Sequence, residues 1–122
     1  MSETPTPSAA TLIDELREPT RSLRRAIPGT FKAFAGLHAE ALGDGALSAS
    51  TKELIALAIG VSKQCDGCIA YHAKAAAHAG ATAEEVAEML GVVLLMDGGP
   101  ATVYGPRAYA AYLEFTEGSS AG

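Results

Sequence analysis

The 122-residue chain has no tryptophan, 6% aromatic residues and two cysteines. With so few large rings, its core must come from aliphatic side chains, and its 25 alanines favour helices packed at short range. Basic residues are also scarce, 9 against 14 acidic ones, for a net charge of −5. That balance excludes the basic footprint that nucleic acid or an anionic membrane requires. Arg17, Arg21, Arg24 and Arg25 form the one local basic cluster and read as a solvated helix face. There is no long apolar run: Val86 to Met96 is interrupted by Glu88 and is too short to cross a bilayer. The stretch Met1 to Ala10 is rich in Pro, Ser and Thr, with no basic or apolar signal region, so a cytoplasmic location is expected. No internal repeat and no strand-like alternation is found. What is present, 48% apolar and 19% charged residues, fits one folded domain, because two separate cores would each be too small.

Helical patterning accounts for most of the chain. Residues 1–8, with Pro5 and Pro7, read as a loose tail, 9–117 as the single domain and 118–122 as a polar, frayed end. Thr11 to Arg17 is expected as a short helix closed by Pro19, with a further turn or two over Thr20 to Ala26. After a break at Ile27-Pro28-Gly29, Phe31, Phe34, Leu37, Ala41 and Leu42 place one apolar face on a helix from Pro28 to Leu42, stopped by Gly43-Asp44-Gly45. Ser50 is expected to open the next helix, with Leu54, Ile55, Leu57, Ala58 and Val61 on its apolar side. Another helix starts at the cysteine pair and runs to Ala79, with Gly80 as its stop. Thr82 and Glu85 then make a capping-box pattern. Val86, Leu90, Val93 and Leu94 form the inner stripe of that helix. Its second half, Gly91 to Met96, is apolar all round, which suggests burial on every side at a subunit interface. Asp97-Gly98-Gly99-Pro100 is a hinge before a last helix, starting near Ala101 or Arg107 and reaching Phe115, with Gly105-Pro106 as a point of splitting. The fold class expected is therefore all-α, with about five to seven helices.

The two cysteines sit as Cys65-Asp66-Gly67-Cys68, with His72 four residues further on. In a helix, Cys65, Cys68 and His72 would share one stripe, and Cys68 and His72 would be direct neighbours. Redox chemistry needs that proximity. The thiolate is the nucleophile, a helix N-terminus stabilises it, a histidine accepts or relays its proton, and a second thiol closes a disulfide before over-oxidation. Helix-dipole reasoning makes Cys65 the more acidic thiol, whereas the His72 spacing points to Cys68. Asp66 opposes thiolate formation but suits a first helical turn. Zinc is the chemical rival, with Cys65, Cys68 and His72 as ligands and His38 or His78 as a fourth. Burial of the cysteines as small hydrophobes is the structural alternative. His38 is a candidate to line a neighbouring subunit's site. His78 suits a helix C-terminus, and Tyr71 and Tyr104 read as packing residues. Glu53, twelve residues before Cys65, is either the N3 member of a Ser50-x-x-Glu53 capping box or a site carboxylate.

The run Glu53-Leu54-Ile55-Ala56-Leu57-Ala58, then Cys65-Asp66-Gly67-Cys68-Ile69-Ala70-Tyr71-His72, resembles the signature of the alkylhydroperoxidase D-like, carboxymuconolactone decarboxylase-like family. The resemblance covers roughly residues 30–115, and Gly98-Gly99-Pro100-Ala101-x-Val103-Tyr104 is similar to the tail segment of short members. It implies an all-helical fold that assembles as a homotrimer or homohexamer. It also implies a thiol peroxidase or disulfide reductase with no cofactor, neither metal nor flavin. Carried over, Cys68 is similar to the peroxidatic cysteine and Cys65 to its disulfide partner. Glu53 matches the general base and His72 the proton relay. The implied partners are a small hydroperoxide and an external dithiol reductant of the lipoyl or thioredoxin type. One position departs from the family's peroxidases, which carry a second histidine between the cysteines; here it is Gly67. The alternatives are a decarboxylase-like enzyme acting on a small lactone acid without thiol chemistry, and a non-enzymatic redox-sensing helical oligomer.

Overall fold

Alanine decides where the helices close up. In the computed structural model, which describes residues 7–121 and their side chains from Pro7 to Thr116, Ala70, Ala73 and Ala76 are all at most 1% exposed. They lie on one helix that packs against three others. The elements are α1 (Ala9–Ala26), α2 (Pro28–Leu42), α3 (Ala49–Ser62), α4 (Asp66–His78), α5 (Ala83–Asp97) and α6 (Ala101–Ala121). The all-α expectation holds, with six helices and no strand among the described residues.

Helix α4 is the centre of the packing. It lies against α3, α6 and α1, and α5 closes the far side by packing on α3 and α6. Leu57 and Val61 of α3 and Val86 of α5 are the largest fully buried side chains, each worth roughly 1.5–3 kcal/mol in removed apolar surface. Tyr112 of α6 donates its hydroxyl to the Ala81 carbonyl, tying the last helix to the α4–α5 turn. The α4 stop is as expected: Gly80 adopts φ +92° and lets the Ala81 amide donate to the Ala76 carbonyl at 3.0 Å. The capping box at the start of α5 also forms, Glu85 N to Thr82 Oγ1 at 3.1 Å and Thr82 N to Glu85 Oε1 at 2.8 Å.

Two proline expectations are overturned. Pro19 does not close a helix, since α1 runs unbroken from Ala9 to Ala26. Likewise Gly105-Pro106 does not split α6. Each proline removes one helical N–H, but both lie on exposed sides, where the freed carbonyl is open to solvent. On α1, Asp14–Arg17 at 2.9 Å and Glu18–Arg21 at 3.7 Å bridge the turns around Pro19. The break expected at Ile27-Pro28-Gly29 is present: Ile27 leaves helical geometry ahead of Pro28 at the start of α2. Of the expected N-terminal tail, residues 1–6 lie outside the described residues. Ser8 is the N-cap of α1, and Glu114 of α6 accepts the Ala9 and Ala10 amides at 3.0 and 3.2 Å.

The expected apolar face of α2 exists, yet no residue of α2 is buried. Phe34 and Leu37 are both 63% exposed. The second half of α5 likewise departs from burial on every side within one chain. Val92, Leu95 and Met96 face outward, Leu95 at 80% exposure. Helix α5 neighbours α3 and α6, and none of the other described helices covers its opposite apolar side.

Candidate active site

Glu53 lies on the inward stripe of α3 with Leu57, Gly60 and Val61, at helical spacing, and is 7% exposed. A carboxylate there needs a partner, because an unpaired buried charge is strongly disfavoured. The partner is His72 of α4, whose Nδ1 lies 2.8 Å from Glu53 Oε1. With Glu53 ionised, this bond assigns the proton to Nδ1 and leaves Nε2 of a neutral ring as an acceptor.

The capping-box reading of Glu53 is excluded. The N-cap of α3 is Ser48, not Ser50: Ser48 Oγ accepts the Thr51 amide at 3.2 Å, and Asp44 accepts the Ala49 amide at 2.8 Å. The first-turn donors are thus satisfied two residues earlier than expected, and Glu53 lies beyond the cap.

The turn from α3 into α4 is tight. The Cys65 amide donates to the Gly60 carbonyl and the Gln64 amide to the Val61 carbonyl, both at 3.0 Å, the bond pair of a Schellman motif. Glycine commonly occupies its left-handed position; here Gln64 does, at φ 55°, a conformation costing a non-glycine residue about 1–2 kcal/mol. This turn delivers Cys65 to the N-cap of α4, where its Sγ accepts the Cys68 amide at 3.2 Å. Cys65 and Cys68 are joined by a disulfide, with Cα atoms 5.2 Å apart. Cys65 therefore stands just outside the helix. The expected three-residue stripe is reduced to Cys68 and His72, one turn apart on α4. Gly60 makes room for the pair, since a Cβ there would lie 3.3 Å from Cys68 Cβ.

The neighbouring groups complete the setting. Asp66 pairs with Arg107 of α6 at 3.5 Å, and Arg107 lies 4.8 Å over the Tyr104 ring. The guanidinium offsets part of the negative charge beside the cysteines. Above Gly67 lies α1, with Leu16 Cδ1 3.5 Å from where a Cβ would stand. A cleft of about 240 Å³ between α1, α4 and α6 has Leu12, Ile69 and Ala111 on its walls and Asp66, Arg107 and Glu114 as its charged residues. His78, in the last turn of α4, is exposed, as is Tyr71. His38 of α2 stacks against His72 of the same chain, with ring centroids 6.4 Å apart. No spacing rule connects those two histidines, which lie on helices separated by α3. Among the described residues no three His, Cys, Asp or Glu side chains are grouped to hold a metal ion, so the zinc arrangement is not assembled.

The site thus combines a cysteine pair at a helix N-terminus with a buried carboxylate bonded to a half-buried imidazole one turn away. An uncharacterised protein of Cupriavidus necator is 38% identical over 102 residues, covering 84% of this chain and 90% of its own. Uncharacterised protein 4 of the cox locus in Paracoccus denitrificans is 40% identical over 78 residues, covering 64% of this chain and 70% of its own. Among solved structures, an apo carboxymuconolactone decarboxylase family protein of Legionella pneumophila superposes with a TM-score of 0.85 at 37% identity, over 88% of this chain and 96% of that one. A Thermotoga maritima protein superposes at 0.80 with 28% identity, over 92% of this chain and 98% of that one. The model of the carboxymuconolactone decarboxylase family matches residues 28–117, Glu53, the cysteine pair and His72 among them, and the chain belongs to that family.

Proposed function

We propose that this protein is a thiol-dependent hydroperoxide reductase that cycles a Cys65–Cys68 dithiol. The observation that carries the reading is the hydrogen bond at 2.8 Å between the buried Glu53 and the half-buried His72, one helical turn from the disulfide. A hydrogen-bonded acid–base pair beside a redox-capable thiol pair has a ready chemical use: it removes and returns the thiol proton.

In the reduced enzyme, His72 takes the Cys68 proton while Glu53 holds and compensates the imidazolium. The Cys68 thiolate attacks the distal oxygen of the hydroperoxide. The O–O bond breaks, the alkoxide takes a proton and leaves as the alcohol, and Cys68 becomes a sulfenic acid. Cys65 attacks that sulfur, water leaves, and the disulfide forms. An external dithiol of the lipoyl or thioredoxin type then returns two electrons and two protons. The N-cap position suits Cys65 to both of its steps. Its sulfur accepts the Cys68 amide, which stabilises Cys65 as an attacking thiolate and as the leaving thiolate on reduction. In this scheme no metal and no cofactor takes part. The exposed apolar faces of α2 and α5 support assembly as a homo-oligomer, a trimer or a hexamer.

Peroxide consumption with a dithiol reductant tests the roles. Cys68→Ser abolishes turnover, and Glu53→Gln lowers it by about 10²–10⁴-fold, the size of a general-base effect. Cys65→Ser oxidises once and then stalls; normal cycling by this variant would remove Cys65 from the resolving role. No peroxide consumption, with turnover of a small lactone acid untouched by both cysteine substitutions, would instead favour a decarboxylase-like reaction. Disulfide formation without saturable turnover would leave a redox-sensing oligomer.

A further inference from the structure

The His72 ring has a second contact that the scheme above does not use. His72 keeps 24% of its side chain exposed, and its hydrogen bond to Glu53 fixes one ring edge. A single hydrogen bond at Nδ1 does not fix the plane of an imidazole, because terminal χ2 torsions are broad. The plane is set by what lies against it. The His38 ring lies within 16° of parallel to it at a centroid distance of 6.4 Å, the offset stack that aromatic pairs favour. His38 comes from α2, whose backbone neighbours α1 and α3, so its side chain spans the gap to α4 by itself.

From this geometry we infer that His38 is a positioning residue: its ring backs the His72 imidazole, keeping Nδ1 on Glu53 and Nε2 free for the thiol proton. The position between the cysteines that holds a second ring in the family's peroxidases is Gly67 here, and Leu16 of α1 lies over it. Support for the remaining ring therefore comes from α2. The contact works through ring shape, so any flat aromatic side chain of similar size can supply it. The charged residues next in sequence to Glu53 and Cys65 are engaged elsewhere: Lys52 of α3 donates its ammonium to the Gly43 carbonyl, and Asp66 pairs with Arg107. This inference rests on the catalytic role proposed for His72, but part of its test does not.

His38→Ala and His38→Phe are compared with the wild type in the full-length reduced protein. His38 is exposed, so neither change disturbs the core. In His38→Ala the rate of disulfide formation with an organic hydroperoxide falls by about two- to tenfold, the size of one aromatic pair contact, and His38→Phe restores it. The ¹⁵N signals of the His72 ring give the second readout. They report one tautomer, protonated at Nδ1, in the wild type and in His38→Phe, and a mixture in His38→Ala. An unchanged rate with unchanged His72 signals in His38→Ala would overturn the inference. So would a His38→Phe variant as slow as His38→Ala, because the nitrogens of His38 would then matter rather than its plane. If the wild-type thiols do not react with hydroperoxide at all, the proposed function fails, while the ring signals still decide the positioning claim.

Discussion

Helices α4 and α2 have similar lengths and opposite surroundings. Helix α4 is enclosed by α3, α6 and α1, and four of its residues are buried; α2 has none. Yet α2 carries the larger apolar side chains, with Phe31, Phe34 and Leu37 against the alanines of α4. Apolar content alone therefore does not decide what becomes core. Small side chains let neighbouring axes close in, and the chain packs where they do. The large side chains of α2 stay exposed, Phe34 and Leu37 among them, and His38 of that helix reaches the His72 ring on α4.

The sharpest way to break this comparison is a matched pair of truncations. Leu57→Ala in the enclosed region costs about 2–5 kcal/mol in denaturant unfolding at any protein concentration. Leu37→Ala on the exposed face of α2 is expected to have an effect that grows with protein concentration, the signature of the proposed homo-oligomer. An equally large, concentration-independent loss at Leu37 would erase the distinction.

A matched pair of glycines sharpens it. Gly60→Val places a side chain 3.3 Å from Cys68 Cβ and costs about 1–3 kcal/mol by overpacking. Gly36 in α2 has nothing within 4 Å, so Gly36→Ala raises stability by about 0.5–1 kcal/mol through helix propensity. Thermal unfolding of both variants checks the opposite signs.

The smallest effect is a pH dependence inside the enclosed region. Burial, followed by Glu84, Tyr109 and Glu85, raises the Tyr112 phenol above its ordinary 10.0. The folded state therefore holds this proton more tightly than the unfolded state does. The associated stability is complete below pH 10 and is lost as pH rises through the folded value. Tyr112→Phe is expected to cost about 1 kcal/mol at neutral pH, with the gap to wild type closing at alkaline pH. Unfolding curves at pH 7 and above pH 10 measure it.

Much of the fold was legible because its signals are local. Thr82 with Glu85, Gly80 and Gly98 act within a few residues, and the helices end where those residues stand. The misread points need tertiary context. Pro19 and Pro106 each cost a helical hydrogen bond and crowd the preceding turn, a cost the helix bears more easily where the turn faces solvent, and both prolines are exposed. Ser50 and Glu53 match a capping box, but Asp44 and Ser48 satisfy the first turn earlier. In the site, the one-turn spacing of Cys68 and His72 follows from helix periodicity. That Cys65 would stand outside the helix depends on the turn at Gln64, where no glycine marks the left-handed residue. The His38–His72 stack has no sequence signal, because two helices far apart in the chain meet only in the packed molecule.

The most direct test of the central claim is intact mass under non-reducing conditions. Fully reduced protein is mixed with one equivalent of an organic hydroperoxide and quenched over time with a thiol-blocking reagent. The account predicts rapid loss of two hydrogens, with Cys65 and Cys68 both protected from the reagent. Two persistently free, fully labelled thiols would contradict it.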